Sequence, residues 1–269
     1  MSYPEAAVQH HDERDQRLSL SVVVPSRDGG PVAADTVAGA LADPATSEVV
    51  VILDQTDAPG ADLAGLAGRD ARVRVVEGGA SGPAAARALG ARLAAGDVVL
   101  FLDDDVVPAP SLATGHVRAH EEHPRAVVVG SMPVALAALR RDATARVYAR
   151  DYERVVARYR DPDAVLVDLW GGNVSIRRDD CLAVGMTTGV FLRSLHEDRD
   201  LGLRCRAAGL TGVYDERLRA EHRYTRSVRR FLHLAREQVG ATRALHALHE
   251  DVLGPWDPDV YVRPLPRLV

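Results

Sequence analysis

Three consecutive carboxylates, Asp103-Asp104-Asp105, stand where the apolar run 97–102 stops. That run is rich in Val, Leu and Phe, as suits a strand covered on both faces. Along an extended backbone alternate side chains point the same way, roughly 6.6 Å apart. Asp103 and Asp105 are thereby placed to hold one hard cation together with a phosphate it carries, and Mg²⁺ and Mn²⁺ prefer such oxygen ligands. By itself the triplet is equally what a solvated acidic loop looks like. A later imidazole, His222, can complete the coordination of an Mn²⁺-like ion, although a lone histidine is more often structural.

The elements that carry the triplet weigh between these readings. From residue 18 to about 107, β-rich runs at 20–25, 48–54, 72–77 and 97–103 alternate with Ala-rich helical stretches near 32–41 and 84–95. Such alternation argues for a parallel, doubly wound sheet, whose ligands bind beyond the carboxyl ends of the strands. Four groups fall there: Pro25-Ser26-Arg27, Asp54, the Gly82/Arg87 segment and the aspartate triplet.

The second half reads differently. Residues 126–134 suit a further strand, and 136–160 a long, solvated amphipathic helix. Residues 165–170 lead through Gly171-Gly172-Asn173 into 174–177, a sheet element behind a glycine turn. A helix over 196–209 ends at Gly209, 211–214 form a short strand, and 228–248 a second long amphipathic helix before a Pro-rich tail. The expected division is a disordered arm at 1–17, a domain at 18–230 with halves at 18–107 and 108–230, and a C-terminal helix and tail at 231–269.

Composition narrows the function. A net charge of −5, with no basic stretch interleaved with aromatics, argues against nucleic acid. All 33 basic residues are Arg. Phosphate must therefore be met by forked guanidinium groups, and Schiff-base chemistry and a P-loop lysine are excluded. Cys181 and Cys205 lack CxxC spacing, so neither a disulfide framework nor a zinc knuckle is indicated. The N-terminal arm has no apolar signal core, and no apolar run approaches the roughly 20 residues that span a bilayer. A cytoplasmic protein, or one peripheral at the inner membrane face, is expected.

These segments, in this order, resemble the inverting family 2 glycosyltransferases from about residue 18 to 230. The opening strand and loop are matched by Val22-Val-Val-Pro-Ser-Arg-Asp28, and the second strand by Glu48-Val-Val-Val-Ile-Leu-Asp54, with Leu53 where the family has a first Asp. Gly82-Pro-Ala-Ala-Ala-Arg87 resembles the glycine-to-Arg-Asn segment, with Ala88 in place of Asn. Leu102-Asp-Asp-Asp105 matches the DXD motif, Gly171-Gly-Asn-Val-Ser-Ile-Arg177 the acceptor-side segment, and His196-Glu-Asp-Arg-Asp-Leu201 the Glu-Asp motif, about ninety residues after DXD. The resemblance implies the α/β GT-A fold: a Rossmann-like, mostly parallel sheet flanked by helices, with a smaller acceptor-side sheet and a C-terminal helix.

It also implies a nucleoside-diphosphate sugar donor. Pro25, Ser26 and Arg27 would line the base pocket with Asp54, whose carboxylate can accept from a uracil-type imide, making the donor UDP-linked. Gly82 and Arg87 would face the base or diphosphate, with Asp104 also on the donor side. Asp103 would hold the ribose or the ion's water shell. Asp105, with His222, would bind Mg²⁺ or Mn²⁺. Gly172 and Asn173 would let a turn approach the transferred sugar. Asp198 is the expected general base for inverting transfer, with Glu197 beside it positioning the acceptor, although an acid at a helix start also serves as an N-cap. Arg223, Arg226 and Arg229 would clamp phosphate or simply be solvated. The acceptor is a small molecule or lipid-linked, and a homodimer is compatible. A sugar-nucleotide nucleotidyltransferase and a non-catalytic nucleotide-sugar-binding relative stand as alternatives.

Overall fold

A computed structural model describes residues 18–54, 58–79, 82–191 and 195–258. The arm expected at 1–17 and the end of the tail from 259 lie outside the described residues. Four strands, β1 (Leu20–Ser26), β2 (Thr46–Leu53), β3 (Val73–Glu77) and β4 (Val98–Leu102), pair in parallel in the order β3-β2-β1-β4. Their connections carry the helices α1 (Pro31–Leu41), α2 (Ala61–Ala67) and α3 (Pro83–Leu93). The apolar runs are buried on both faces. Val22, Val24, Val49, Val51, Leu100 and Leu102 join the core on one side, while Val23, Val50, Ile52, Val99 and Phe101 join the core on the other.

Beyond β4 the sheet turns mixed. The short β5 (Val106–Pro108) and α4 (Leu112–Glu122) precede β6 (Ala126–Ser131). β7 (Asn173–Arg177) runs antiparallel to both β4 and β6, and β8 (Thr211–His222) runs parallel to β6. The end of β8 then pairs antiparallel with β5, a short ribbon at the edge of the sheet.

Several boundaries differ from the sequence reading. The stretch 136–160 is not one helix: α5 (Leu136–Arg141) stops at Asp142, whose carboxylate accepts from Thr144 N–H (2.7 Å) and starts α6 (Ala143–Val156), which ends in a 3₁₀ turn (Ala157–Arg160). An Asp competing for backbone N–H groups breaks the periodicity there. Residues 162–167 form another helix, α7 (Pro162–Val167), opened by Pro162 and an Asp161 cap. The strand expected at 211–214 continues to His222; its register jumps from Asp215 to Arg219, and Leu218, Ala220 and His222 resume alternate burial. The remaining helices are α8 (Arg178–Val184), α9 (Glu197–Ala207), α10 (Val228–Leu248) and α11 (Glu250–Leu253).

One close approach orients α3 towards the strand ends. Gly90 packs against Val23 of β1, where a methyl group would collide with the Val23 side chain. Helix propensity favours Ala over Gly by about 1 kcal/mol, whereas overpacking a tight contact costs about 1–3 kcal/mol. Gly90→Ala should therefore be destabilising by about 1–2 kcal/mol. A higher urea midpoint than wild type would refute this packing.

Candidate active site

The strand ends open into a cavity of about 1830 Å³. Pro25, Ser26, Arg27, Asp54, Gly82, Arg87, Asp103, Asp104, Asp105, Glu197, Asp198 and His222 all line it. Small-molecule sites typically occupy about 300–1,000 Å³, so this one has room for two substrates together. Its far walls come from α6, the start of α9 and the first half of α10.

Arg87 joins the two acidic segments. Its side chain is buried, with Nη2 donating to Asp103 Oδ1 at 2.6 Å and Nη1 donating to Asp198 Oδ1 at 3.3 Å. Glu197 Oε1 lies 3.6 Å from the same Nη1. Burial alone would weaken the guanidinium's hold on its proton, but the charges of Asp198, Asp103 and Glu197 outweigh it and keep Arg87 cationic. The sequence reading had aimed Arg87 at the base or diphosphate. The structure adds its contacts with the carboxylates of Asp103 and Asp198.

The glycine turn holds the same two segments from the other side. Gly171 N–H donates to Asp198 Oδ2 (3.0 Å), and Gly172 O accepts from Asp103 N–H (3.2 Å). A methyl group at Gly171 would collide with the Asp198 carboxylate, and one at Gly172 would meet Met132 Sδ at 2.5 Å. Both glycines are needed for this close approach. Gly172 is thus packed beneath Asp103 and, with Asn173, is not part of the cavity lining.

Asn173, expected on the donor side, is a correction. It is completely buried, its amide donating to Ser131 O (3.2 Å) and Leu218 O (3.0 Å). Its Oδ1 accepts from His116 Nε2 (3.0 Å), and Ser175 Oγ bridges His116 Nδ1 and His120 Nε2 at 2.8 Å each. Burial pushes His116 down to about 4 and His120, with His116 beside it, down to about 3, so both rings are neutral at pH 7. Sequence reasoning assigned these histidines nothing. Their i, i+4 spacing on a helix was the available signal.

At the start of α9, His196 occupies the cap position with φ +66°, and no side chain caps the helix. Asp198 therefore does not act as an N-cap; it turns to Gly171 and Arg87. Burial, then the Asp198 charge, push the Glu197 carboxyl up to about 8 against the pull of Arg87. Burial also raises Asp198, opposed by Arg87 and the Gly171 N–H.

Within the triplet each side chain has a different neighbour. Asp104 accepts from Ser26 Oγ (2.6 Å), and burial, with Asp105 and Asp103 nearby, pushes it up to about 6. Asp105 Oδ2 lies 3.2 Å from His222 Nε2, a contact fixed by the pairing of Val106 with His222. Burial raises the Asp105 carboxyl, but the His222 contact and Arg226 outweigh it and leave it below the ordinary carboxylate value. Both Asp54 oxygens accept from Gly82 N–H (3.0 and 3.1 Å), joining β2 to the start of α3, where Gly82 has φ +88°.

The histidine is framed by rings, one of which, Tyr148, lies in the stretch read from sequence as a solvated helix. Tyr148 of α6 meets His222 edge-on at 5.0 Å and stacks on Tyr224 at 4.5 Å, and its hydroxyl accepts from Trp170 Nε1 (3.0 Å). Of the expected phosphate clamp, Arg226 lies over the Tyr224 ring and lines the cavity, whereas Arg223 pairs with Asp35 and Arg229 is outside the lining. Among the described residues no three His, Cys, Asp or Glu side chains converge as a metal cage. Asp105 and His222 supply one oxygen and one imidazole donor, which fits an ion whose other ligands are substrate phosphate and water.

The solved structures similar to this chain have related folds at low identity. A mannosyltransferase from Pyrobaculum calidifontis, PcManGT, solved with GDP-Man and Mn²⁺, matches with a TM-score of 0.60 at 14% identity, covering 94% of this chain and 78% of that one. Residues 1–349 of TarS from S. aureus match with a TM-score of 0.58 at 14% identity, covering 83% of this chain and 65% of that one. No curated protein sequence matches. The family model described as glycosyl transferase family 2 matches residues 21–184, from β1 through the aspartate triplet and the glycine turn to the end of α8. With most of its length in that match and a GT-A fold around it, the chain belongs to glycosyl transferase family 2.

Proposed function

We propose that the protein transfers a sugar from a nucleoside-diphosphate donor to an acceptor hydroxyl in one inverting displacement, with Asp198 as general base. The observation that carries this reading is the shared guanidinium: Arg87 reaches Asp103 on the donor side and Asp198 on the acceptor side at 2.6 and 3.3 Å. A base and a diphosphate-binding segment joined by one side chain line the same cavity, which has room for a sugar ring.

The donor base lies by Pro25, Ser26 and Arg27, with Asp54 accepting from a ring N–H, a group that uracil and guanine both carry. Asp105 and His222 would hold Mg²⁺ or Mn²⁺ at the cavity wall. When bound, that ion supplies charge neutralisation to the leaving group. Arg226, at the cavity wall, adds a guanidinium on the same side. The acceptor oxygen gives its proton to an Asp198 oxygen as the new glycosidic bond forms and the bond to the diphosphate oxygen breaks.

Two adjacent carboxyl groups facing one guanidinium divide their roles by environment. Glu197, raised to about 8, holds a proton at neutral pH. Asp198 accepts the Gly171 N–H, a bond that favours its ionised form. Glu197 thus positions the site as a neutral acid, leaving Asp198 as the base.

A thermal-shift panel of nucleotides and nucleotide sugars, with and without Mn²⁺, tests the donor class, and stabilisation by none of them would sink the reading. Asp198→Asn should lower turnover by about 10²–10⁴-fold while nucleotide affinity stays within a few-fold. Wild-type turnover in that variant would remove Asp198 as base. Asp105→Ala should abolish the gain in nucleotide affinity that Mn²⁺ gives in calorimetry; an unchanged metal titration would contradict the ligand assignment. For Glu197 the folded-state value lies above the unfolded one, so its contribution to stability is present at low pH and lost as pH rises towards about 8. The melting temperature of Glu197→Gln should therefore gain on wild type between about pH 5 and pH 8. A constant difference across that window would show that Glu197 carries no raised pKa.

A further inference from the structure

Among the described residues, the buried side chains of helix α10 lie in its second half. Among its 21 residues the buried ones are Thr242, Leu245 and His246. Leu245 packs with Phe191 and Leu203, and Thr242 Oγ1 meets His196 Nε2 at 2.8 Å. The first half extends past this anchor along the cavity, which Phe231, Leu234 and Gln238 line.

The outward side of that half is divided by residue type. Val228, Leu232 and Val239 recur at i, i+4 and i+11, one stripe of an α-helix, with Ala235 between them at the edge of the cavity. The three large members are exposed, Val228 and Val239 at 60% and Leu232 at 55%. Beside this stripe, on the side away from the cavity, Arg229, Arg236 and Arg243 recur every seven residues. The helix carries four Arg against one Glu, in a chain whose net charge is −5. Its one acid, Glu237, lies 3.4 Å from His233.

We propose that the first half of α10 is an interfacial helix that docks the protein on an anionic phospholipid surface. An apolar stripe flanked by guanidinium groups matches the layering of such a surface, with acyl boundary beneath the apolar residues and phosphate headgroups beside the basic ones. Guanidinium groups alone would suit any polyanion. The Val-Leu-Val stripe, exposed among the described residues, is what selects lipid. Since the adjacent face of the same helix lines the cavity, docking sets the cavity mouth beside the membrane. The docking surface stands whether or not the cavity transfers sugar, and its test uses no catalytic readout.

The test is flotation of the full chain with phosphatidylglycerol/phosphatidylcholine vesicles and with pure phosphatidylcholine vesicles, across a salt series. Binding is expected to the anionic vesicles only and to weaken with salt. Arg229→Glu/Arg236→Glu should weaken it by roughly 30-fold or more. Leu232→Glu/Val239→Glu should reduce it to background with an unchanged melting temperature, since both side chains are exposed and outside the cavity lining. No vesicle binding by wild type would overturn the proposal. So would wild-type binding by Leu232→Glu/Val239→Glu, which would leave plain charge attraction. A homodimer in sedimentation that this same variant dissolves would overturn it too, by giving the stripe to a second copy of the chain.

Discussion

A buried guanidinium is costly unless its charge is met, and here two aspartates meet it, with the Glu197 carboxyl beside them. Arg87 pairs with Asp103, Asp198 and Glu197, which come from two segments about ninety residues apart. Without a cation between them these acids would repel one another in a space that burial makes electrically stiff. The planar fork suits the task, because Nη1 and Nη2 serve different carboxylates at once; a lysine would offer a single point of charge. Much of the local architecture follows from this contact. Gly90 lets α3 lie close to β1, and Gly171 and Gly172 let the turn come under both acidic segments.

Beneath that contact the support is polar and fully internal. The chain from His120 through Ser175, His116 and Asn173 to the carbonyls of Ser131 and Leu218 ties α4, β7, β6 and β8 together behind the glycine turn. Low dielectric makes such a network stiff when its partners are present. A turn whose next residue is pinned in this way holds Asp103 and Asp198 in place by backbone, not by loop packing. The proposed ion site has a similar frame: the β5–β8 ribbon sets Asp105 opposite His222, and aromatic rings confine the imidazole.

The first half of the chain was legible because its signals are local. Strands β1 to β4 are continuous apolar runs, the helices between them are Ala-rich, and the strand order places Pro25, Asp54 and Asp103 on one edge. The family resemblance of the aspartate triplet and of the Glu-Asp pair further along was legible too, and both line one cavity. What was misread depended on contacts across the fold. The contact of Arg87 with Asp198 was not foreseen because nothing nearby in sequence shows that Asp198 approaches it. Asn173 was given to the sugar because a residue after two glycines gives no sign of being wholly buried. β8 was cut short because Asp215-Glu216-Arg217 reads as a turn, and the alternation resumes only at Leu218.

The far wall of the cavity explains why one sequence says less about the acceptor than about the donor. Tyr148, Trp170 and Tyr224 lie in three separate segments, yet their rings meet within 5.3 Å of one another through Tyr148. None has a spacing that marks it, and Tyr148 sits among charged residues in a helix that periodicity reads as solvated. Recognition of the nucleotide end needs backbone turns and carboxylates at strand ends, which follow from sheet topology. The other wall is built by side chains whose neighbours are decided only when α6, α7 and the end of β8 converge. The position of Tyr148 against His222 therefore links that wall directly to the proposed ion site, so a change of rings there alters both at once.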